Sequence, residues 1–138
     1  MNDPILSITF DGNRRHFEPG EMLVAEYRLD SLSLIDTKAI EASVVWYTVG
    51  KGDEDFGVHQ FVRYAQEDSQ GLFDCRRARY LKTVLPRSPL SYEGVIVKVR
   101  WCVRVRLFPT RGREMVAESS FVLGHVPPAA NPVLKPAP

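Results

Sequence analysis

Apolar and polar residues alternate with a period of two along most of this chain. In residues 94–108, every odd-numbered position from Val95 to Leu107 is apolar. Alternate residues of a β-strand point to opposite faces, so this pattern predicts a long strand with one buried face. The opposite face, which should meet water or acidic neighbours, carries four cations, namely Lys98, Arg100, Arg104 and Arg106.

The same period predicts further strands at residues 4–10, 23–30, 40–49, 56–64, 79–85 and 115–123. Turn-forming glycines and prolines separate these runs, and the turn at 109–112 predicts a hairpin between 94–108 and 113–124. No run has a convincing helical period. The sequence therefore predicts an all-β fold, a two-sheet immunoglobulin-like antiparallel sandwich over residues 1–126. Residues 127–138 are proline-rich and predict a flexible tail.

Composition limits the classes of function. No stretch approaches the roughly 20 apolar residues of a membrane-spanning helix, and the first residues do not resemble a secretory signal. Two cysteines, Cys75 and Cys102, lack metal-type spacing and favour reduced thiols in a cytoplasmic protein. The sequence pI of about 7.8 lies below the range of dedicated nucleic-acid binders, so no nucleic acid is expected as a partner.

Charge is distributed unevenly along the chain. Residues 1–75 hold 6 basic and 14 acidic side chains, whereas residues 76–113 hold 11 basic and 1 acidic. Such an asymmetry indicates either an exposed basic surface or internal pairing between the two parts.

Three segments, in this order, resemble an arrestin-type domain. Residues 17–21 (FEPGE) are similar to the turn that opens an early strand in arrestin-fold proteins. Residues 85–94 (LPRSPLSYEG) are similar to the family's proline-containing crossing, and residues 95–107 match its long alternating strand. The resemblance covers about residues 5–125, which corresponds to a single lobe and not to the paired sandwiches of a full arrestin.

The resemblance implies an arrestin-type sandwich that binds other proteins and performs no chemistry, an adaptor or scaffold. An edge strand or a basic strand face would hold the partner, and an acidic or phosphorylated segment is the partner chemistry that it implies. A lone lobe could also pair with a second copy of itself.

The candidate partner-binding residues are basic. They comprise the four cations of the long strand and a group just upstream, and the full set is Lys98, Arg100, Arg104, Arg106, Arg76, Arg77 and Arg79. Arginine predominates, and its planar fork suits bidentate contacts to carboxylate or phosphate. The alternative is that cross-strand carboxylates neutralise this face, with Glu26, Asp30, Glu41 and Glu118 as the candidate partners.

A second hypothesis is a calcium- or carbohydrate-binding sandwich. Three consecutive acids, Asp53, Glu54 and Asp55, could contribute oxygen ligands, although they lack EF-hand spacing. Tyr47 and Tyr64 are candidates for outward rings that could stack on a sugar. No nucleophile elbow, metal-type histidine pair or phosphate loop is present, so we expect no enzyme activity and no cofactor.

Overall fold

The computed structural model describes residues 3–52 and 54–127. Within these ranges the chain forms nine strands and two short 3₁₀ turns, and it contains no α-helix. No helix in this part of the chain is long and apolar enough to cross a membrane. The strands are β1 (Ile5–Phe10), β2 (His16–Phe17), β3 (Met22–Asp30), β4 (Thr37–Gly50), β5 (Phe56–Ala65), β6 (Arg79–Val84), β7 (Tyr92–Glu93), β8 (Val97–Pro109) and β9 (Met115–Leu123).

The strands form two sheets that pack face to face. The smaller sheet has the order β1-β3-β6, and the larger has the order β2-β9-β8-β4-β5, with β7 pairing beside β8. Neighbouring strands are antiparallel except β2 and β9, which are parallel. The predicted two-sheet, all-β sandwich is therefore confirmed, with this one parallel pair as an addition.

The alternating residues of the long strands build the core. On β3, the residues Leu23, Ala25, Tyr27 and Leu29 are all buried, as their shared parity predicts. On β4, Ile40, Ala42 and Val44 are buried in the same way. The β3 and β4 residues share one core cluster with the buried odd-numbered residues of β8, which are Trp101, Val103, Val105 and Leu107. Burial of these apolar faces between the sheets is the main stabilising contribution to such a sandwich.

The first part of the predicted 94–108 strand differs from expectation. The strand begins at Val97, and Val95 is 92% exposed instead of buried. Val97 is also exposed, so the buried face starts only near Trp101. The predicted buried face was wrong at this end because residues 94–96 form a loop before the strand begins. The hairpin between β8 and β9 is confirmed, with Trp101 opposite Phe121 and Leu107 opposite Met115.

Two short strands carry no periodic signal, since two residues are too few to alternate. In β2, His16 and Phe17 pair with Val122 and Leu123 at the end of β9. In β7, Tyr92 and Glu93 pair with the beginning of β8. Each of these strands forms because the fold places a longer strand next to it, β9 beside β2 and β8 beside β7. The local sequence therefore could not indicate them.

The three segments that resemble arrestin are in contact with one another. The amide of Gly20, in segment 17–21, donates to the carbonyl of Leu85 at 2.9 Å, and the amide of Leu85 donates to Glu21 at 2.9 Å. The segment 85–94 in turn lies against β8, where Trp101 donates to Pro89. These contacts join the second segment to the first and to β8. The proline-rich tail predicted at 127–138 lies outside the described residues apart from Pro127.

Candidate interaction surface

The four cations of β8 lie on the outer face of the six-stranded sheet, and each lies near a carboxylate. Arg104 Nε is 3.0 Å from an oxygen of Glu118, its cross-strand neighbour on β9. Arg106 is 2.7 Å from an oxygen of Glu114, and Glu93 lies 3.5 Å from Arg100 and 3.6 Å from Lys98. The cations are therefore partly compensated within the chain.

The carboxylates that compensate this face were only partly anticipated. Glu118 was one of the four candidates, but Glu93 and Glu114 were not. Glu41 pairs instead with Arg63 on β5 at 2.9 Å, and Asp30 lies 3.7 Å from Arg28. Glu93 and Glu114 are next to the strand ends, so their approach depends on how β7 and the β8–β9 turn are folded.

The other three candidate cations lie elsewhere. Arg76 and Arg77 belong to the connection between β5 and β6, and Arg79 begins β6 in the smaller sheet. Arg76 makes a forked pair with Asp74, with Nη2 2.9 Å from one carboxylate oxygen. This pairing lowers the pKa of Asp74 below its ordinary value. The structure therefore does not bring all seven cations onto one strand face.

Arg79 is held by aromatic rings. Its guanidinium carbon lies 4.7 Å from the ring centre of Tyr64 and 5.2 Å from that of Phe73. Such cation–π contacts stabilise a cation where water is partly excluded. Within the described ranges Arg79 has no carboxylate within ion-pair distance, and its buried Nε has no hydrogen-bond partner. We assign Arg79 a packing role between β5 and β6.

A half-exposed apolar column on β5 was not recognised in the sequence. Phe56, Val58 and Phe61 are 53%, 54% and 52% exposed. Simple alternation would place Phe61 on the opposite face from Phe56. A bulge changes this, because Val45 lies opposite Val58 while Val44 lies opposite Gln60, which leaves an extra residue at position 59. After such a bulge the parity is reversed, and all three side chains face outward.

The apolar column and two of the β8 cations form a groove on the outer face, which we call the aromatic groove. Its floor contains Val45, one side is formed by Phe56, Val58 and Phe61, and the other by Arg104 and Arg106. The guanidinium of Arg104 lies 5.6 Å from the ring centre of Phe56. Glu41 also lines the groove, and its carboxylate is paired with Arg63 at 2.9 Å. The groove thus offers apolar contact area beside cationic hydrogen-bond donors.

The acidic turn between β4 and β5 gives no support for a metal site. Glu54 and Asp55 are exposed, and Asp53 lies outside the described residues. The Asp55 amide donates to Thr48 Oγ1 at 2.8 Å, and the Thr48 amide donates to the Asp55 carbonyl at 3.0 Å, which closes the hairpin. No cluster of three or more histidine, cysteine or acidic residues that could hold a metal ion occurs in residues 3–52 and 54–127.

Both cysteines are buried and unpaired. Burial raises the pKa of the Cys102 thiol to about 11, and the nearby charge of Glu118 contributes in the same direction. Burial also raises the pKa of Cys75. Because the thiolate is the nucleophilic form, neither thiol is prepared for covalent chemistry.

Similarity to solved structures identifies the fold. The chain superposes over 91% of its length on Spo0M, a sporulation control protein from Bacillus subtilis, with a TM-score of 0.63 and 12% sequence identity. Spo0M has an arrestin-like fold. The fold of this chain is arrestin-like. The chain spans about half of Spo0M, 51% of its length.

A beta-glucosidase from Listeria innocua matches 89% of this chain and 16% of its own length at 15% identity, with a TM-score of 0.40. No protein-family model matches the chain, and no curated protein matches it by sequence. The similarity to Spo0M, at 12% identity, concerns the fold alone.

Proposed function

We propose that this chain is a non-enzymatic protein-interaction domain that binds an extended segment of a protein partner at the aromatic groove. The observation that carries the proposal is the outward column of Phe56, Val58 and Phe61 beside Arg104 and Arg106. Aromatic residues and arginine are the side chains enriched in the centres of protein interfaces.

The position of β5 supports an extended partner. Within residues 3–52 and 54–127, β5 has a single neighbouring strand, β4, and so forms an edge of the six-stranded sheet. β4 separates β5 from β8, so the column and the cations of the groove lie on opposite sides of β4. Alternate side chains of an extended segment point to opposite sides. A segment lying along the groove could therefore contact the column with one set of side chains and Arg104 and Arg106 with the other.

Charge favours acidic side chains in the partner. Arg104 and Arg106 form one side of the groove. They make ion pairs with Glu118 and Glu114, which lie on or next to β9, on the side of β8 that faces away from the groove. These pairs are partly exposed, and exposed ion pairs contribute only about 0–1 kcal/mol. An added carboxylate could therefore share either guanidinium at small cost. We propose a partner segment in which apolar and acidic residues alternate, with phosphorylated residues as a variant of the same chemistry.

A non-enzymatic role is supported by the state of the two thiols. Cys75 and Cys102 are the potential thiol nucleophiles of the chain, and burial raises the pKa of both. The unpaired, buried thiols also fit the proposal of a cytoplasmic location, where thiols remain reduced.

The proposal can be tested with a synthetic peptide of about ten residues, a common strand length, in which valine and glutamate alternate. The Val–Glu peptide is titrated into isotopically labelled protein, and backbone amide shifts are followed by NMR. We expect shifts along β5 and the facing part of β8. Phe61→Ser should weaken binding roughly tenfold or more, because it removes a large apolar contact.

Tyr80→Ser is the matched control. Tyr80 is 55% exposed, close to the 52% of Phe61, but lies on the smaller sheet. Its substitution should leave peptide affinity unchanged. Shifts confined to the smaller sheet, or equal losses from both variants, would contradict the proposed site. Light scattering in parallel tests pairing with a second copy, because a dimer that dissociates in Phe61→Ser would mean that the column serves self-association.

A further inference from the structure

A second groove lies near the point where β9 leaves β8. Trp101 is opposite Phe121 on β9, but the next inward residue of β8, Val99, is opposite Tyr92 on β7. The end of β9 is held to the β7 side, where the Ser91 amide donates to the Leu123 carbonyl at 2.8 Å. A groove of about 510 Å³ opens there, with Arg15, Arg100, Val99, Phe121, Val122 and His125 among the residues that line it.

Arg15 is fixed in this groove without a carboxylate. Its Nη1 donates to Ser119 Oγ at 2.8 Å and to the Ser120 carbonyl at 3.0 Å. Its guanidinium carbon lies 5.2 Å from the ring centre of Phe10. In the part of the chain that the structure describes, no acidic group lies within ion-pair distance of Arg15. Because neutral groups orient Arg15 and no carboxylate neutralises it, its positive charge is available to pair with an anionic ligand.

The groove holds more positive than negative charge. Arg100 also lines it, and its carboxylate neighbour, Glu93, lies at 3.5 Å and is shared with Lys98 at 3.6 Å. One carboxylate therefore serves two cations while Arg15 has none. Apolar contact area is supplied by Val99 and by Val122, which is exposed. This combination fits a carboxylate attached to an apolar segment.

We propose that Arg15 and Arg100 form an anchoring site for an acidic side chain of the same extended partner segment. The inference rests on the proposed function, because the segment bound at the aromatic groove supplies the acid. Arg100 and Arg104 lie on the same outer face of β8, four residues apart, and Arg15 lines the same groove as Arg100. The guanidinium groups of Arg15 and Arg100 bind the carboxylate of the segment. Val99 and Val122 contact an apolar side chain of the same segment.

The test compares the Val–Glu peptide with a Val–Gln peptide of the same length. We expect Arg15→Gln to weaken binding of the Val–Glu peptide by roughly tenfold, the loss that accompanies one charge-assisted hydrogen bond. Affinity for the Val–Gln peptide should not change. Arg111→Gln is the matched control, since Arg111 is an exposed arginine in the β8–β9 turn at the opposite end of β8.

Arg15→Lys keeps the charge but loses the fork, and we expect an intermediate affinity for the Val–Glu peptide. It decides the question if Arg15→Gln does not fold, because a lysine variant that binds like the original protein would overturn the proposal. Amide shifts of Ser120 and Val122 should accompany binding of the Val–Glu peptide and not of the Val–Gln peptide.

The two proposals fail in different ways. If Phe61→Ser weakens binding while Arg15→Gln binds the Val–Glu peptide as tightly as the original protein does, the anchoring site is wrong and the aromatic groove stands. If the original protein binds neither peptide, both proposals are overturned. Equal losses for Arg15→Gln and Arg111→Gln would mean a general charge effect, which also overturns the anchoring site.

Discussion

The indole N–H of Trp101 donates a hydrogen bond of 2.8 Å to the carbonyl oxygen of Pro89. Trp101 is almost fully buried and packs beside Phe121, with ring centres 5.8 Å apart. A buried tryptophan needs a partner for its polar atom, and here that partner is the crossing segment between β6 and β7. Trp101 therefore stabilises the core and also fixes the position of this segment.

Substitutions at Trp101 should separate these two contributions. Trp101→Ala is expected to lower the free energy of unfolding by about 3–5 kcal/mol, as large-to-small core substitutions do. Trp101→Phe retains most of the apolar area but leaves the Pro89 carbonyl without its donor, which should cost about 1–3 kcal/mol. Urea unfolding followed by circular dichroism measures both. A loss below about 1 kcal/mol for Trp101→Ala would contradict its place in the core.

The ion pair between Arg104 and Glu118 should contribute little to stability. The two side chains are 28% and 43% exposed, and pairs of this kind are worth about 0.2–1 kcal/mol. A double-mutant cycle with Arg104→Gln and Glu118→Gln should give a coupling in this range that decreases with added salt. The same cycle on Arg28 and Asp30 provides a control on the smaller sheet.

A coupling near 2 kcal/mol or more would change the interpretation of this face. Arg104 would then be committed to Glu118, and a partner carboxylate could not share it at small cost. The stability measurement therefore bears directly on the proposed acidic partner.

Gly50 should tolerate a side chain poorly. Its φ is +142°, and a Cβ at this position would overlap the carbonyl oxygen of Ile96 in the neighbouring loop. Gly50→Ala should therefore destabilise the protein by more than about 1 kcal/mol, since both the backbone conformation and the contact are unsuitable. Gly52→Ala is the control, because Gly52 also has a positive φ but open space around it. Equal losses in thermal unfolding would show that the overlap contributes nothing.

Much of the fold could be predicted because burial repeats every second residue in its long strands. Leu23, Ala25 and Tyr27 are buried and their intervening neighbours are not. Side-chain parity also placed Arg104 and Arg106 on the outer face. Both inferences need only local geometry.

The candidate site was less predictable because it depends on breaks in that regularity. The extra residue at position 59 turns Phe61 to the same face as Phe56. The residue types around position 59 do not predict a bulge. Arg15 lies far from β9 in sequence and reaches Ser119 only through the parallel pairing of β2. Pairing between distant segments is a tertiary property, so the partners of these side chains could not be read from spacing.

The buried thiol of Cys102 should make stability depend on pH in the alkaline range. Its pKa in the folded protein is about 11, above the ordinary value of 9.0, mainly because of burial. Above pH 9 the unfolded chain therefore releases this proton while the folded protein retains it. The free energy of unfolding should fall as pH rises from about 9 to about 11. Tyr27, whose pKa burial raises from 10.0 to about 12, should extend the fall to higher pH.

Cys102→Ala tests the origin of this dependence. Removing a buried thiol changes stability at every pH. The measurement is therefore the slope of the free energy of unfolding against pH, and not its absolute value. Urea unfolding at several pH values from 8 to 10 should show a shallower fall in the variant, because only the unfolded thiol titrates there, near its ordinary value of 9.0. Identical slopes would mean that the Cys102 thiol titrates equally in the folded and unfolded states. That result would contradict its burial beneath Glu118 on the outer face of the larger sheet.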